Sequence, residues 1–223
     1  MRAVAKGPMP TPQLGDDLRV AVSKAYDAAT ALLEDPGGAR LDAVSWLSAH
    51  VAAFEHAIYP VAKRRLTDGA TVLDEDRTVA GQLIRTLRIA ERLFSGDVLA
   101  RNLSAGRLRE RLTELVAEQR AVQLRIVDGL ENALDPAEIT YLARSYADAL
   151  AHAPTRPHPH LGSGVMFRLD SIRDRILDTM DGRHVPVPRM PKRRIIPGRW
   201  GAYLLGQPHQ PPAEADEAPT SEG

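Results

Sequence analysis

Apolar residues recur three and four positions apart in five successive segments of this chain, a spacing that places them on one face of an α-helix. The clearest of these stripes consists of Val44, Leu47, Val51, Phe54, Ile58 and Val61. Aromatic residues make up only 4% of the chain, as expected of helices packed through small and branched aliphatic side chains. We therefore predict an all-α fold.

Turn-forming and charged residues set the ends of the first three predicted helices. The first helix covers about 18 residues between Asp16 and Asp35. The second begins near Leu41, and Pro60 predicts a kink or an early end because proline lacks a backbone N–H. The third is expected to start at residues 74–76, whose carboxylates suit the positive end of a helix dipole.

Two more helices follow, and together the five predict a bundle. The fourth runs from Leu108 to near Leu134, and Asp135 is the expected N-cap of a fifth that reaches about His152. Four long amphipathic helices joined by short connections favour an up-down-up-down four-helix bundle. A further helix is predicted over residues 165–180, so the bundle carries one or two extra C-terminal helices before an irregular tail.

Composition divides the chain into four regions. Residues 1–15 contain three prolines and are predicted to be a disordered N-terminus, whereas residues 16–182 hold the bundle with its C-terminal helices. Residues 183–205 hold six arginines and lysines and no acidic residue, which predicts a basic extension rich in proline and aromatic residues. Residues 206–223 hold four acidic residues and no lysine or arginine, and are predicted to be a disordered acidic tail.

Composition also excludes several classes of function. The chain has no cysteine, which excludes disulfide scaffolds, thiolate metal sites and cysteine nucleophiles. Its 29 lysines and arginines balance 29 acidic residues, which argues against steering of the whole chain to nucleic acid or membrane. No apolar stretch suits a membrane span or a signal peptide, so we expect a cytoplasmic protein. No phosphate-binding loop, nucleophile elbow or dinucleotide fingerprint occurs, and no enzymatic activity is predicted.

Polar residues fall on the apolar stripes of two helices. At about 100° per residue, His50 lies beside the stripe of the second helix and His56 opposite it. Gln119 falls in the middle of the fourth helix's stripe and Gln123 at its edge. A lone inward histidine is more often a hydrogen-bonded core residue than a metal ligand, and glutamine binds transition metals poorly. We expect an amide network in which the glutamines meet each other, His50 or Thr86.

Two stretches of the chain carry a family resemblance. A histidine, small residues, acidic and aromatic positions and a proline follow one another from His50 to Pro60, and this stretch resembles the second helix of hemerythrin-like (HHE) cation-binding domains. Residues 153–160, APTRPHPH, and residues 198–206, GRWGAYLLG, are similar to the C-terminal part of an actinobacterial branch of that family. The resemblance spans about residues 16–206 and implies a four-helix bundle around a di-iron centre of histidines and carboxylates.

The resemblance implies a degenerate metal site. His50 matches the ligand histidine of the second helix, and Glu55 lies one position beyond the carboxylate expected there. At other positions in the second, third and fourth helices the expected ligands are replaced by different residues: Phe54, Thr86, Gln119 and Gln123.

A close pair of histidines, His158 and His160, lies between prolines after the fifth helix, with His152 nearby. Three histidines could bind zinc or nickel. The prolines favour another interpretation, a rigid strap that turns the chain back over the bundle, with Arg156 anchoring the strap to a carboxylate.

The basic extension has the elements of a surface anchor. The residues of the candidate anchor are five of its six positive charges: Arg189, Lys192, Arg193, Arg194 and Arg199. We expect Trp200 and Leu204 to pack this segment on the outside of the bundle. A weak contact with anionic membrane or nucleic acid is the alternative.

Taken with the resemblance, these features predict a non-catalytic binding or regulatory module with a protein partner, a degenerate metal site and no cofactor. The alternative is a cation-binding protein that senses or stores oxygen or metal. It would hold iron or zinc through His50 with Glu55, or through the histidines at residues 152, 158 and 160.

Overall fold

The computed structural model describes residues 16–35, 40–96, 104–158 and 173–174. Within these ranges the backbone forms six α-helices of at least one full turn and no β-strand, so the predicted all-α fold is confirmed. The helices are α1 (Leu18–Glu34), α2 (Arg40–Ala57), α3 (Tyr59–Arg65), α4 (Gly69–Phe94), α5 (Ala105–Ala133) and α6 (Pro136–His152). All described residues lie in the first of two units of the chain, Met1–Arg189.

Several predictions concern residues outside these ranges. They include the disordered N-terminus, His160, the basic extension with its arginines and lysine, and the acidic tail. Arg173 and Asp174 are helical, in agreement with the helix predicted over residues 165–180, whose other residues are not among those described.

Pro60 separates α2 from α3. The second helix ends at Ala57, and α3 begins at Tyr59 with the proline in its first turn. Proline is accepted there because the first N–H groups of a helix have no partner within that helix. The predicted early end of the second helix is confirmed.

The expected start of the third long helix was wrong. The helix α4 begins at Gly69, well before residues 74–76, and Asp76 is fully buried in its interior instead of capping its end. Gly69 permits this start, because a Cβ atom at that position would lie 2.6 Å from the backbone oxygen of Ala62 in α3.

Side-chain caps fix the starts of α5 and α6. The Ser104 hydroxyl accepts a hydrogen bond from the Arg107 N–H at 3.4 Å. The Asp135 carboxylate accepts from the N–H groups of Ala137 and Glu138, while Glu138 accepts from the Asp135 N–H, which completes a capping box. The prediction that Asp135 is the N-cap of this helix is therefore confirmed.

The helices pack around one apolar core. α1 contacts α2, α5 and α6; α2 contacts α4 and α6; and α4 contacts α5. Every residue from Ala43 to Phe54 in α2 is buried, so this helix lies at the centre of the packing. Trp46 donates its indole N–H to the Ala25 carbonyl oxygen at 2.6 Å and ties α2 to α1. Among the described helices, none has the length and apolarity needed to cross a membrane.

Candidate functional site

Buried polar side chains from α2, α4 and α5 meet inside the apolar core. His50 in α2 and Asp76 in α4 are 0% exposed, and Gln123 in α5 is 1% exposed. His50 Nε2 lies 2.9 Å from Gln123 Oε1, and Gln123 Nε2 lies 3.4 Å from Asp76 Oδ2. The expected contact between His50 and a glutamine amide is confirmed. We use the name core cluster for His50, Tyr59, Asp76, Gln119, Gln123 and Tyr146.

Asp76 is the acceptor on which the core cluster converges. The Tyr59 hydroxyl donates to Oδ2 at 2.6 Å, and Gln119 Nε2 donates to Oδ1 at 2.5 Å. Together with Gln123 these groups are neutral, and among the described residues no cation donates to this carboxylate. Burial raises the pKa of Asp76 to about 6, and the hydrogen bonds from Tyr59 and Gln123 limit the rise because they favour the carboxylate.

His50 is held as one neutral tautomer. Gln123 uses its amide nitrogen on Asp76, so its oxygen faces His50 and accepts a hydrogen from Nε2. Nδ1 lies 2.7 Å from the Tyr146 hydroxyl, which therefore donates to the free lone pair of the ring. Burial lowers the pKa of His50 to about 4, so the ring is uncharged at neutral pH.

Aromatic rings enclose His50 and keep water away from it. The Tyr26 ring meets the imidazole edge-on with centroids 4.5 Å apart, and the Tyr146 and Phe54 rings lie at 5.9 and 6.2 Å. Phe54 therefore supplies an apolar ring at the position where the family resemblance implies a carboxylate.

Two polar atoms in the core remain without a hydrogen-bond partner among the described residues, the Tyr26 hydroxyl and Gln119 Oε1. An unsatisfied buried group of this kind costs about 1 to 3 kcal/mol. Burial and the charge of Asp76 raise the pKa of Tyr26, so its hydroxyl stays protonated and is available as a donor.

Other predicted site residues lie outside the core cluster. Thr86 is half-buried and donates its hydroxyl to the Gln82 carbonyl oxygen at 2.9 Å, so of the partners expected for the glutamines the structure shows His50, which contacts Gln123. Glu55 is half-buried and, in the part of the chain that the structure describes, makes no hydrogen bond to His50. Burial, with a contribution from Asp76, raises the pKa of Glu55 to about 7.

Residues 153–158, the described part of the predicted strap, contact α4. Arg156 Nη1 lies 3.3 Å from Glu91 Oε1, which identifies the carboxylate that anchors it. Arg88 Nε donates to the Pro157 carbonyl oxygen at 3.1 Å and holds the same segment.

His158 pairs with a carboxylate and not with His152. Its Nε2 lies 3.0 and 3.1 Å from the two oxygens of Asp174, whereas His152 Nδ1 donates to the Asp148 carbonyl oxygen within its own helix. Across the described ranges, no group of three His, Cys, Asp or Glu residues has a geometry that could hold a metal ion.

Sequence reasoning missed Asp76 and the three tyrosines of this region. Asp76 was assigned to a helix start, yet Leu73, Asp76, Val79 and Leu83 follow one another at helical spacing. An aspartate on that stripe was the available signal, because a charged residue at a core position requires partners from neighbouring helices. The tyrosines Tyr26, Tyr59 and Tyr146 have no comparable signal, since their rings suit an apolar face without a polar partner.

Scans of protein-family models, curated proteins and solved structures find no match to this chain.

Proposed function

We propose that this protein is a hemerythrin-like four-helix bundle in which a hydrogen-bonded polar cluster replaces the metal centre, and that it acts as a non-catalytic binding or regulatory module. The resemblance of residues 50–60 to the second helix of that family supports the assignment. The packing supports it too: α1 contacts α2, α2 contacts α4, α4 contacts α5, and α5 returns to α1, as in a closed bundle of four.

The main support for the proposal is that both ring nitrogens of His50 are engaged in hydrogen bonds. A metal ligand must offer a free lone pair, and the one lone pair of the neutral ring accepts a hydrogen bond from Tyr146 at 2.7 Å. The other nitrogen carries the hydrogen that faces Gln123. His50 and Gln123 satisfy each other, so this donor set does not fit a di-iron centre.

The glutamines reinforce this interpretation. Gln119 and Gln123 both direct an NH₂ group at Asp76, at 2.5 and 3.4 Å. Amide donors stabilise a lone carboxylate but repel a cation at the same place. The role of the core cluster is therefore to hold α2, α4 and α5 in register. In this proposal the protein acts through its surface, by binding another protein.

Metal analysis of the full-length protein, purified without an affinity tag, tests the proposal. We expect iron and zinc far below one ion per chain, both as purified and after incubation with either metal followed by desalting. The double variant Gln119→His and Gln123→Glu restores two of the four replaced side chains and is the comparison for the incubation, in which it should retain more metal than the natural protein.

One ion per chain in the natural protein, lost in His50→Gln or in His158→Gln, would refute the proposal. It would support the alternative instead, a cation-binding protein for sensing or storage.

A further inference from the structure

A cavity of about 120 Å³ lies where α1 and α4 end and α2 and α5 begin. We call it the end cavity. Its lining residues are Leu33, Arg40, Phe94, Ala105, Gly106 and Arg109. Along α5 its lining residues Ala105 to Arg109 lie about 15 to 21 Å from Gln119 of the core cluster at 1.5 Å per residue. It is therefore a separate feature of the molecule.

One wall of the end cavity is apolar, and its Phe94 ring positions the guanidinium group of Arg40. Leu33 is 4% exposed and Phe94 is half-buried. The Arg40 guanidinium lies 5.6 Å from the centroid of the Phe94 ring, within the range of a cation–π contact. This contact places a positive charge next to apolar surface.

The two arginines of the end cavity have no acidic partner within residues 16–35, 40–96, 104–158 and 173–174. Two other arginines of α5 are paired: Arg111 with Glu114 at 3.0 Å, and Arg120 with Asp27 at 2.8 Å. Arg40 and Arg109 thus bring to one small cavity two positive charges that no acidic residue of the described ranges pairs with, close to the positive end of the α5 dipole.

We propose that the end cavity binds a small carboxylate with an apolar body about the size of benzoate. A guanidinium group matches a carboxylate through paired N–H donors, so Arg40 and Arg109 take the charged end. Leu33 and Phe94 contact the apolar body. The end cavity, at about 120 Å³, is smaller than the closed cavity of about 150 Å³ that holds benzene, so a single ring is the upper limit for this body. This inference goes beyond the proposed function and does not depend on the metal content of the core cluster.

Calorimetry and ligand-observed NMR on the full-length protein test the proposal, with benzoate as the probe. Benzamide has the same shape without the charge, and inorganic phosphate has charge without the apolar body. We expect benzoate to bind at least about tenfold more tightly than either compound. The variants Arg40→Gln and Arg109→Gln should each weaken benzoate binding by about tenfold or more.

Two further variants separate loss of the site from loss of the fold. Gly106→Leu should fill the cavity and abolish binding while the helix is kept, because a Cβ there meets only the Ser104 hydroxyl oxygen, at 3.8 Å, and leucine favours helix more than glycine does. Arg107→Gln removes the same charge from the same helical turn outside the cavity lining, and should bind benzoate as the natural protein does.

Absence of benzoate binding, equal binding of benzamide or phosphate, or equal losses in Arg107→Gln and Arg109→Gln would each overturn the proposal.

Discussion

At the scale of single residues, Asp76 and His50 impose opposite pH dependences on the same core. Each is fully buried, and burial favours the uncharged form of both. For the carboxyl group the uncharged form is the protonated one, whereas for the imidazole it is the deprotonated one. The two effects oppose each other in mildly acidic solution, so substitutions are needed to separate them.

Replacing Asp76 with asparagine removes the carboxyl contribution. Burial raises the pKa of Asp76 from 3.8 to about 6, so the folded state binds more protons than the unfolded state between these values. The stability contributed by this group is therefore present at low pH and lost as the pH rises toward 6. In Asp76→Asn the Gln119 amide can turn and offer its unpaired Oε1 to the new NH₂ group.

Relative to the natural protein, Asp76→Asn should be more stable at pH 7 than at pH 3: its free energy of unfolding minus that of the natural protein should be about 3 kcal/mol larger at pH 7. Urea denaturation at both pH values measures this difference. A difference that does not change with pH would mean that Asp76 does not titrate in this range.

The contribution of His50 to stability changes with pH in the opposite direction. Burial lowers the pKa of His50 from 6.5 to about 4, so between these values the unfolded state binds more protons and stability rises with pH. In His50→Gln that rise is absent, and the two hydrogen bonds to Tyr146 and Gln123 are weakened. We expect a loss of about 1 to 3 kcal/mol at pH 7 that becomes smaller at pH 5.

The exposed His56 provides the control for this measurement, because His56→Gln on the outer face of α2 should leave the free energy of unfolding within about 0.5 kcal/mol. Equal losses in the two variants would contradict the assignment of His50 as the hydrogen-bonded core histidine.

At the scale of helices, the contact between α3 and α4 requires glycine at position 69, because it has no Cβ atom. Gly69→Ala would place a Cβ 2.6 Å from the Ala62 carbonyl oxygen, which is backbone and cannot move aside alone. The clash should outweigh the better helix propensity of alanine and lower the free energy of unfolding by about 1 to 3 kcal/mol.

Gly81→Ala, in the same helix, is the matched control. A Cβ there meets only Arg85 Nη1, at 3.6 Å, so this variant should gain up to about 1 kcal/mol. Thermal unfolding of the two variants side by side measures the contrast, and a gain in both would show that α3 does not constrain the start of α4.

Helical periodicity was sufficient to predict most elements but not their contacts. The stripe on the second helix and Pro60 together predicted where α2 ends, because proline acts locally on the backbone. The start of α4 was mispredicted because acidic residues at 74–76 have the composition of a helix N-terminus, whereas packing against α3 decides the actual start.

For the core cluster, too, the sequence predicted the positions of single residues but not their contacts. The inward positions of His50, Gln119 and Gln123 followed from the angle of each residue around its own helix. The convergence on Asp76 did not follow, since it depends on how α2, α4 and α5 face one another, and one sequence does not contain that information.

For the whole molecule, ion pairs on the surface link the helices without contributing much stability. Arg120 of α5 pairs with Asp27 of α1 at 2.8 Å, and Arg125 pairs with Glu75 of α4 at 2.5 Å. The side chains of both pairs are well exposed, and pairs of this kind contribute about 0 to 1 kcal/mol each. Salt should therefore change the stability of the helical core little.

That expectation makes salt a probe of the basic extension, residues 183–205. The sequence of this segment contains six positive charges together with Trp200 and Leu204. If these apolar side chains pack on the bundle, removal of residues 183–223 should lower the melting temperature by about 5 °C or more, with little dependence on salt.

Removal of residues 206–223 alone is the control for this truncation and should leave the melting temperature unchanged. An electrostatic anchor would give the opposite pattern: the longer truncation would keep its melting temperature and lose a salt-sensitive binding to anionic vesicles or DNA. Thermal unfolding and vesicle sedimentation, each at low and high salt, therefore distinguish packing from anchoring, and an unchanged melting temperature in the longer truncation would refute packing.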